Sequence, residues 1–139
     1  HSRREIRLNM DTIAENKDVD TSFELFGKKF KYPIFAGPVG AVQLHYGDKY
    51  TEEEYNNIMI KSCNDSGIAS FTGDGVNPNV MIAATNMIKK QNGMGIPTVK
   101  PWNIDIIKEK MKLVSDSNAF AVYVIQNGDS YLLALEWGS

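Results

Sequence analysis

The stretch Gly67-Ile68-Ala69-Ser70-Phe71-Thr72-Gly73-Asp74-Gly75-Val76-Asn77-Pro78 decides the fold class. Ile68–Thr72 reads as a short strand, closed abruptly by Gly73-Asp74-Gly75. Asn77 can then cap a helix whose first position is Pro78, where the missing N–H costs nothing. Behind this cap, Val80, Ala84, Met87 and Ile88 recur at helical spacing as a buried stripe, and Gln91-Asn92-Gly93 ends the helix. A strand, a glycine turn and a capped helix in that order make a βα unit.

The unit recurs on both sides. Upstream, Ile34-Phe35-Ala36 predicts a buried parallel strand ending in Gly37-Pro38-Val39-Gly40. Val42–Gly47 reads as a loop, and Thr51 with Glu54 forms a capping box for a helix ended by Gly67. That helix carries Tyr55, Ile58, Met59 and Cys63 on one face. Downstream, Ile96–Val99 is a third strand leading into Lys100-Pro101-Trp102. Asn103 caps a further helix with Ile104, Ile107, Met111 and Val114 on one face, and Ala119–Val124 is the fourth strand. Repetition at roughly 30 residues implies a parallel sheet with helical crossovers. Pattern alone leaves open a doubly wound sheet or part of a barrel. A complete eight-stranded α/β barrel takes about 200 to 250 residues, and the chain has 139.

The two ends follow other rules. The opening segment to about Thr21 is polar, with a short helix expected over Arg4–Ile13 because Ile6, Met10 and Ile13 share a face. Phe23 and Leu25 then alternate with polar residues, and a return through Phe30 and Tyr32 completes a hairpin with its turn expected at Gly27-Lys28. At the other end, Asn127-Gly128 between Tyr123–Gln126 and Asp129–Trp137 is the strongest hairpin signal, because a type I′ turn needs positive φ at both central positions. A βα series has no reason to end this way. The segment is either an antiparallel edge added to the sheet or a foreign extension. His1-Ser2 and Gly138-Ser139 look like cloning remnants and favour the extension.

Composition excludes several classes. Lys+Arg 15 against Asp+Glu 17 leaves a net charge of −2, with no basic cluster suited to nucleic acid or anionic membrane. There is no apolar run of membrane-spanning length, and HSRREIRLNM is too charged for a secretion signal, so a soluble, cytoplasmic domain is expected. The single cysteine, Cys63, allows no internal disulfide and falls on a helix face, where it is expected in the core. No metal-ligand cluster, phosphate-loop motif or nucleophile elbow is present. His45 stands in a loop without an acidic neighbour, which suits a solvated or structural imidazole better than a catalytic one.

Three strand ends carry the chemistry that remains. Parallel sheets place ligands at the carboxyl ends of their strands, where loops expose backbone N–H groups. Gly37-Pro38-Val39-Gly40, Thr72-Gly73-Asp74-Gly75 and Lys100 all fall there. Each has an ordinary structural explanation: glycines make turns, Thr72 and Asp74 can cap the next helix, and lysines are usually solvated. Three polar strand ends on one rim point to a ligand more than any single one does.

The run Asp20-Thr21-Ser22-Phe23-Glu24-Leu25-Phe26-Gly27, followed by Tyr32-Pro33-Ile34-Phe35-Ala36-Gly37-Pro38-Val39-Gly40-Ala41, resembles the FMN-dependent α-hydroxy-acid oxidoreductases, the lactate and glycolate oxidising family. Thr51-Glu52-Glu53-Glu54-Tyr55, Thr72-Gly73-Asp74-Gly75 and Gly95-Ile96-Pro97-Thr98-Val99-Lys100-Pro101 extend the likeness in the same order, from about Arg4 to Val122 and nearest to an anaerobe-type subgroup. The resemblance implies a half TIM barrel of about four βα units over residues 1–122, with the N-terminal hairpin before it and residues 123–139 as a non-family tail packed on the same domain. It implies FMN across the strand ends, with Gly37, Pro38, Val39 and Gly40 offering backbone groups to the ring. Ser70 or Thr72 would bond the pyrimidine edge. Lys100 stands where many members carry glutamine, and its cation would favour the reduced, anionic flavin. The family's proton-abstracting histidine, substrate-binding arginine, flavin-side lysine and phosphate site follow later strands and have no counterpart here. The chain is therefore expected to be a truncated or chimeric fragment that binds FMN weakly, has no catalytic residue of its own, and forms a homo-oligomer that covers the open half. A small hydroxy acid would be the parent enzyme's substrate. The alternatives are a ligand-free folded scaffold or engineered chimera, and a small flavoprotein whose site is completed across a dimer.

Overall fold

The computed structural model describes Leu8, Ile13 and residues 15–137. The helix expected over Arg4–Ile13 lies outside the described residues. The chain first forms a separate hairpin, β1 (Phe23–Leu25) against β2 (Lys28–Phe30). Its turn is Phe26-Gly27, not Gly27-Lys28, because Leu25 pairs with Lys28 and both residues between them have positive φ, 48° and 79°.

Five further strands make one sheet in the order β3 (Phe35–Ala36), β4 (Ala69–Thr72), β5 (Ile96–Val99), β6 (Ala121–Gln126) and β7 (Asp129–Ala134). The first four run parallel; β7 is antiparallel to β6. The Asn127-Gly128 turn falls where the sequence places it, with φ of 51° and 80°. The C-terminal segment is thus an antiparallel edge of the same sheet, and β6 runs unbroken across positions 122 and 123.

Helices link the parallel strands. The capping box at Thr51 is present in full, with Glu54 N donating to Thr51 Oγ1 at 3.1 Å and Thr51 N donating to Glu54 Oε2 at 2.9 Å, and it starts α2 (Glu52–Ser66). Asn77 caps α3 (Pro78–Lys90) and Asn103 caps α4 (Ile104–Ser117), as their side chains accept from Asn79 N and Ile106 N. One element is not anticipated. Val42–Tyr46 is a short helix, α1, rather than a loop, and its first N–H is taken by the Glu52 carboxylate, a partner ten residues away that no local pattern reveals.

The sheet has two different faces. Ile60, Met81, Met87, Ile88 and Val114 of the helices pack on Val99 and Val122 to form the larger core. On the other face no helix lies among the described residues. Phe30, Ala69, Ile96, Phe120 and Ala121 form a second core there, flanked by Phe23, Leu25, Phe71, Tyr123 and Leu132. Phe35, Phe71 and Tyr123 run along it as edge-to-face and tilted rings, with centroids 5.7 and 5.5 Å apart. The buried helix stripes shift slightly from expectation. In α2 the innermost residues are Asn56, Ile60 and Cys63 while Ile58 is exposed, and in α4 Ile104 is exposed while Lys110 is buried. β3 is also exposed, not buried as expected, since it is a two-residue edge strand paired on one side only.

Candidate functional site

The turns that follow β3, β4 and β5 meet at one end of the sheet. They are packed backbone to backbone. A Cβ on Gly73 would stand 2.3 Å from Gly40 N and 2.4 Å from the Val39 carbonyl carbon, so only glycine lets these two turns touch. A cleft of about 1050 Å³ opens beside them, lined by the Pro38–Ala41 turn, α1, Gly73–Gly75, the start of α3, and Thr98, Lys100 and Ile125.

Beneath the rim, Asp74 is fully engaged. Its Oδ2 accepts from Lys100 N at 2.9 Å and from Trp102 Nε1 at 2.6 Å. Its Oδ1 accepts from Gly75 N at 2.9 Å and from the Lys110 ammonium. Lys110 also donates to the Gly75 carbonyl at 3.2 Å, and its ammonium sits 4.8 Å from the centre of the Trp102 ring. The carboxylate side chain is wholly buried. Asp74 does not cap α3, whose cap is Asn77; its carboxylate ties the turns after β4 and β5 to α4. Buried charge requires such company, because an uncompensated ion in the interior costs several kcal/mol by order of magnitude.

The sequence-derived residues divide in two. Pro38, Val39, Gly40 and Lys100 line the cleft, and Gly37 is exposed at the start of the same turn. Ser70 and Thr72 do not line it. Thr72 pairs with Pro97 and Ser70 with Ala36, which puts both on the face that carries Val99 against the helices. Their hydroxyls are buried there without a partner. The residue that sequence reading misses is Thr98. It pairs with Tyr123 on the opposite face, lines the cleft, is 2% exposed, and has no partner for its Oγ1. Just past the end of β5, Lys100 brings a cation to the same cleft, and no carboxylate lies within ion-pair distance of it among the described residues. His45 lines the cleft from exposed α1, with its ring 6.3 Å from that of Tyr46. Cys63 is buried, and burial pushes its thiol pKa up, which fits a core residue.

The cleft is lined by the Pro38–Ala41 turn, the unpartnered Thr98 hydroxyl, Lys100, and Glu52 and Glu53. No group of metal-ligating side chains occurs among the described residues, and no helix among them is long and apolar enough to cross a membrane. Comparison with curated proteins and with solved structures gives no match. Comparison with protein families gives one: residues 1–101, which include every turn of the rim through Lys100, match the FMN-dependent dehydrogenases. The chain belongs to the FMN-dependent dehydrogenase family.

Proposed function

We propose that the chain is the amino-terminal half of a barrel of the α-hydroxy-acid oxidoreductase type, carrying the ring side of an FMN site and not turning over a hydroxy acid unaided. The observation that carries this reading is that the family match covers the same turns that line the cleft. The half barrel would run through β6, which crosses the expected boundary at 122/123, and β7 would be an added edge. The face bearing Phe35, Phe71 and Tyr123 would be the barrel interior, since it lacks the helical cover of the other face among the described residues.

The lining suits the ring end of a flavin. Thr98 Oγ1 is a buried hydroxyl in need of a partner, and a donor or acceptor on the ring edge would relieve a cost of about 1–3 kcal/mol. Lys100 would hold negative charge at that edge, and Gly37, Pro38, Val39 and Gly40 would present backbone groups to the ring face. Ser70 and Thr72, which face the helices, would act only by shaping the strand. A bound flavin would supply a two-electron acceptor for a hydroxy acid. The chain's own contribution ends at binding and orienting: among the described residues lining the cleft, Lys100 is the one lysine or arginine and His45 the one imidazole. A ring-edge cation leaves none for the phosphate, and an imidazole on an exposed helix is poorly fixed for proton abstraction.

Titration of the protein into FMN and, separately, into riboflavin, followed by flavin fluorescence, tests this. Both ligands should bind weakly and with affinities within about tenfold of each other, because the phosphate adds little. Lys100→Met and Thr98→Val should each weaken both. FMN binding far more tightly than riboflavin, or anaerobic bleaching of the flavin band by lactate or glycolate, would overturn the reading.

A further inference from the structure

We propose that the outer edge of β7 is a self-complementary dimer interface, joining two copies of the chain into one continuous sheet. This is independent of the flavin reading.

The two edges of the sheet are built differently. β3 is two residues long and lies between Pro33 and Pro38, which blunts it against further pairing. β7 is six residues long, and the whole segment from Tyr123 to Trp137 contains no Pro, Lys or Arg. It lacks the Pro and Lys that commonly protect an open edge, and no strand among the described residues pairs with its outer side.

Hydrogen-bond phase fixes which groups face outward. Leu135 N donates to Phe120 O at 2.9 Å, which gives the Phe120–Leu135 position the phase of a bonded pair. Bonded pairs alternate along an antiparallel ladder, and the register Val122↔Leu133, Val124↔Tyr131 and Gln126↔Asp129 continues that phase. The N–H and C=O groups of Ser130, Leu132 and Ala134 therefore point away from β6. A second β7, related by a two-fold axis through Leu132, puts Ser130 opposite Ala134, Leu132 opposite Leu132, and Ala134 opposite Ser130. Each outward group meets an outward group, for about six new N–H···O bonds.

The side chains agree with that register. Tyr131 of one copy falls opposite Leu133 of the other, and these are 50% and 47% exposed in the single chain. Aromatic–aliphatic cross-strand pairs are favourable. Asp129 falls opposite Leu135 and Glu136 opposite Gly128, so the segment's two carboxylates avoid each other. Moving the axis half a residue, to between Leu132 and Leu133, sets Asp129 against Glu136 and points bonded groups at unbonded ones. Of these two registers, the one centred on Leu132 satisfies both backbone and charge, and it pairs all three outward residues of β7 within the strand.

Sedimentation equilibrium on the whole chain tests the proposal, with a dimer of twice 15.5 kDa expected. The double variant Tyr131→Lys/Leu133→Lys puts like charges opposite each other and should raise the dimer Kd by about tenfold or more, leaving the far-UV spectrum unchanged. Tyr131→Glu/Leu133→Glu should do the same, and mixing the lysine and glutamate variants should restore the dimer as a heterodimer. Ser130→Pro, which removes one outward N–H and touches no core side chain, should weaken it as well. A monomer at every accessible concentration would overturn the proposal. So would a dimer indifferent to all these changes, or lysine and glutamate variants that fold but fail to associate on mixing.

Discussion

The middle of the sheet and its margins obey different physics. β5 is buried at all four positions and β4 at three, and the turns after both are pinned by one carboxylate. β3 and β7 are largely exposed, and their conformations rest on turn geometry and one neighbouring strand each. In the centre a residue is judged by what it leaves unpaired or empty when removed. At the margins it is judged by the backbone conformation it permits. The candidate site lies where the two regimes meet, with Thr98 on the buried central strand, Lys100 just past its end, and Pro38–Ala41 after the exposed edge strand.

Asp74→Asn is the sharpest test of that contrast. The amide cannot neutralise Lys110, whose ammonium stays buried, so a loss of about 3–5 kcal/mol is expected. Urea unfolding of both variants would measure it. Asp74→Asn/Lys110→Met removes the orphaned charge and should recover much of the loss, whereas a purely local role for Asp74 would give no recovery. Next comes a pair of truncations. Ile96→Ala, fully buried in the centre, should cost about 2–5 kcal/mol through the cavity it leaves. Phe35→Ala, on the edge and 37% exposed, should cost roughly 1–2 kcal/mol, mostly in ring contacts with Phe71 and Phe23. Equal losses would break the division between centre and margin. Thr51→Ala should cost about 1 kcal/mol, the ordinary value of an N-cap, whichever region its helix packs on.

How far the sequence could be read follows the same division. The central βα units were legible because their signals are local: a Thr-x-x-Glu box, an Asn-Pro cap and an Asn cap each sit next to the element they start. Facing was not legible. Ser70 and Thr72 differ from Thr98 only in the parity of their position along paired strands, and parity is fixed by the register between strands far apart in sequence. Lys110 was hidden for a related reason. It stands three residues after Ile107 and four before Val114, on the buried stripe of α4, but its residue type says surface until a carboxylate 36 residues away is seen to receive it. The helix α1 owes its first hydrogen bond to Glu52, which no window around Val42 suggests as its cap.

The smallest effect expected separates two turns of the same shape. Phe26-Gly27 and Asn127-Gly128 have φ values within a few degrees of each other, 48° and 79° against 51° and 80°. Asparagine tolerates the left-handed region because its short side chain can bond locally; phenylalanine has no such compensation and pays in steric strain of about 1 kcal/mol. That strain explains why the sequence pointed one residue too late, to Gly27-Lys28: a bulky aromatic is a poor candidate for positive φ. Phe26 is 43% exposed, so its replacement empties little of the core. Phe26→Asn should therefore stabilise the chain by roughly 0.5–1 kcal/mol, seen as a higher thermal midpoint. The reverse change, Asn127→Phe, should destabilise by a similar amount. If Phe26→Asn instead destabilises, the ring is held in place by contacts worth more than the strain, and the N-terminal hairpin belongs energetically with the centre of the molecule rather than with its margins.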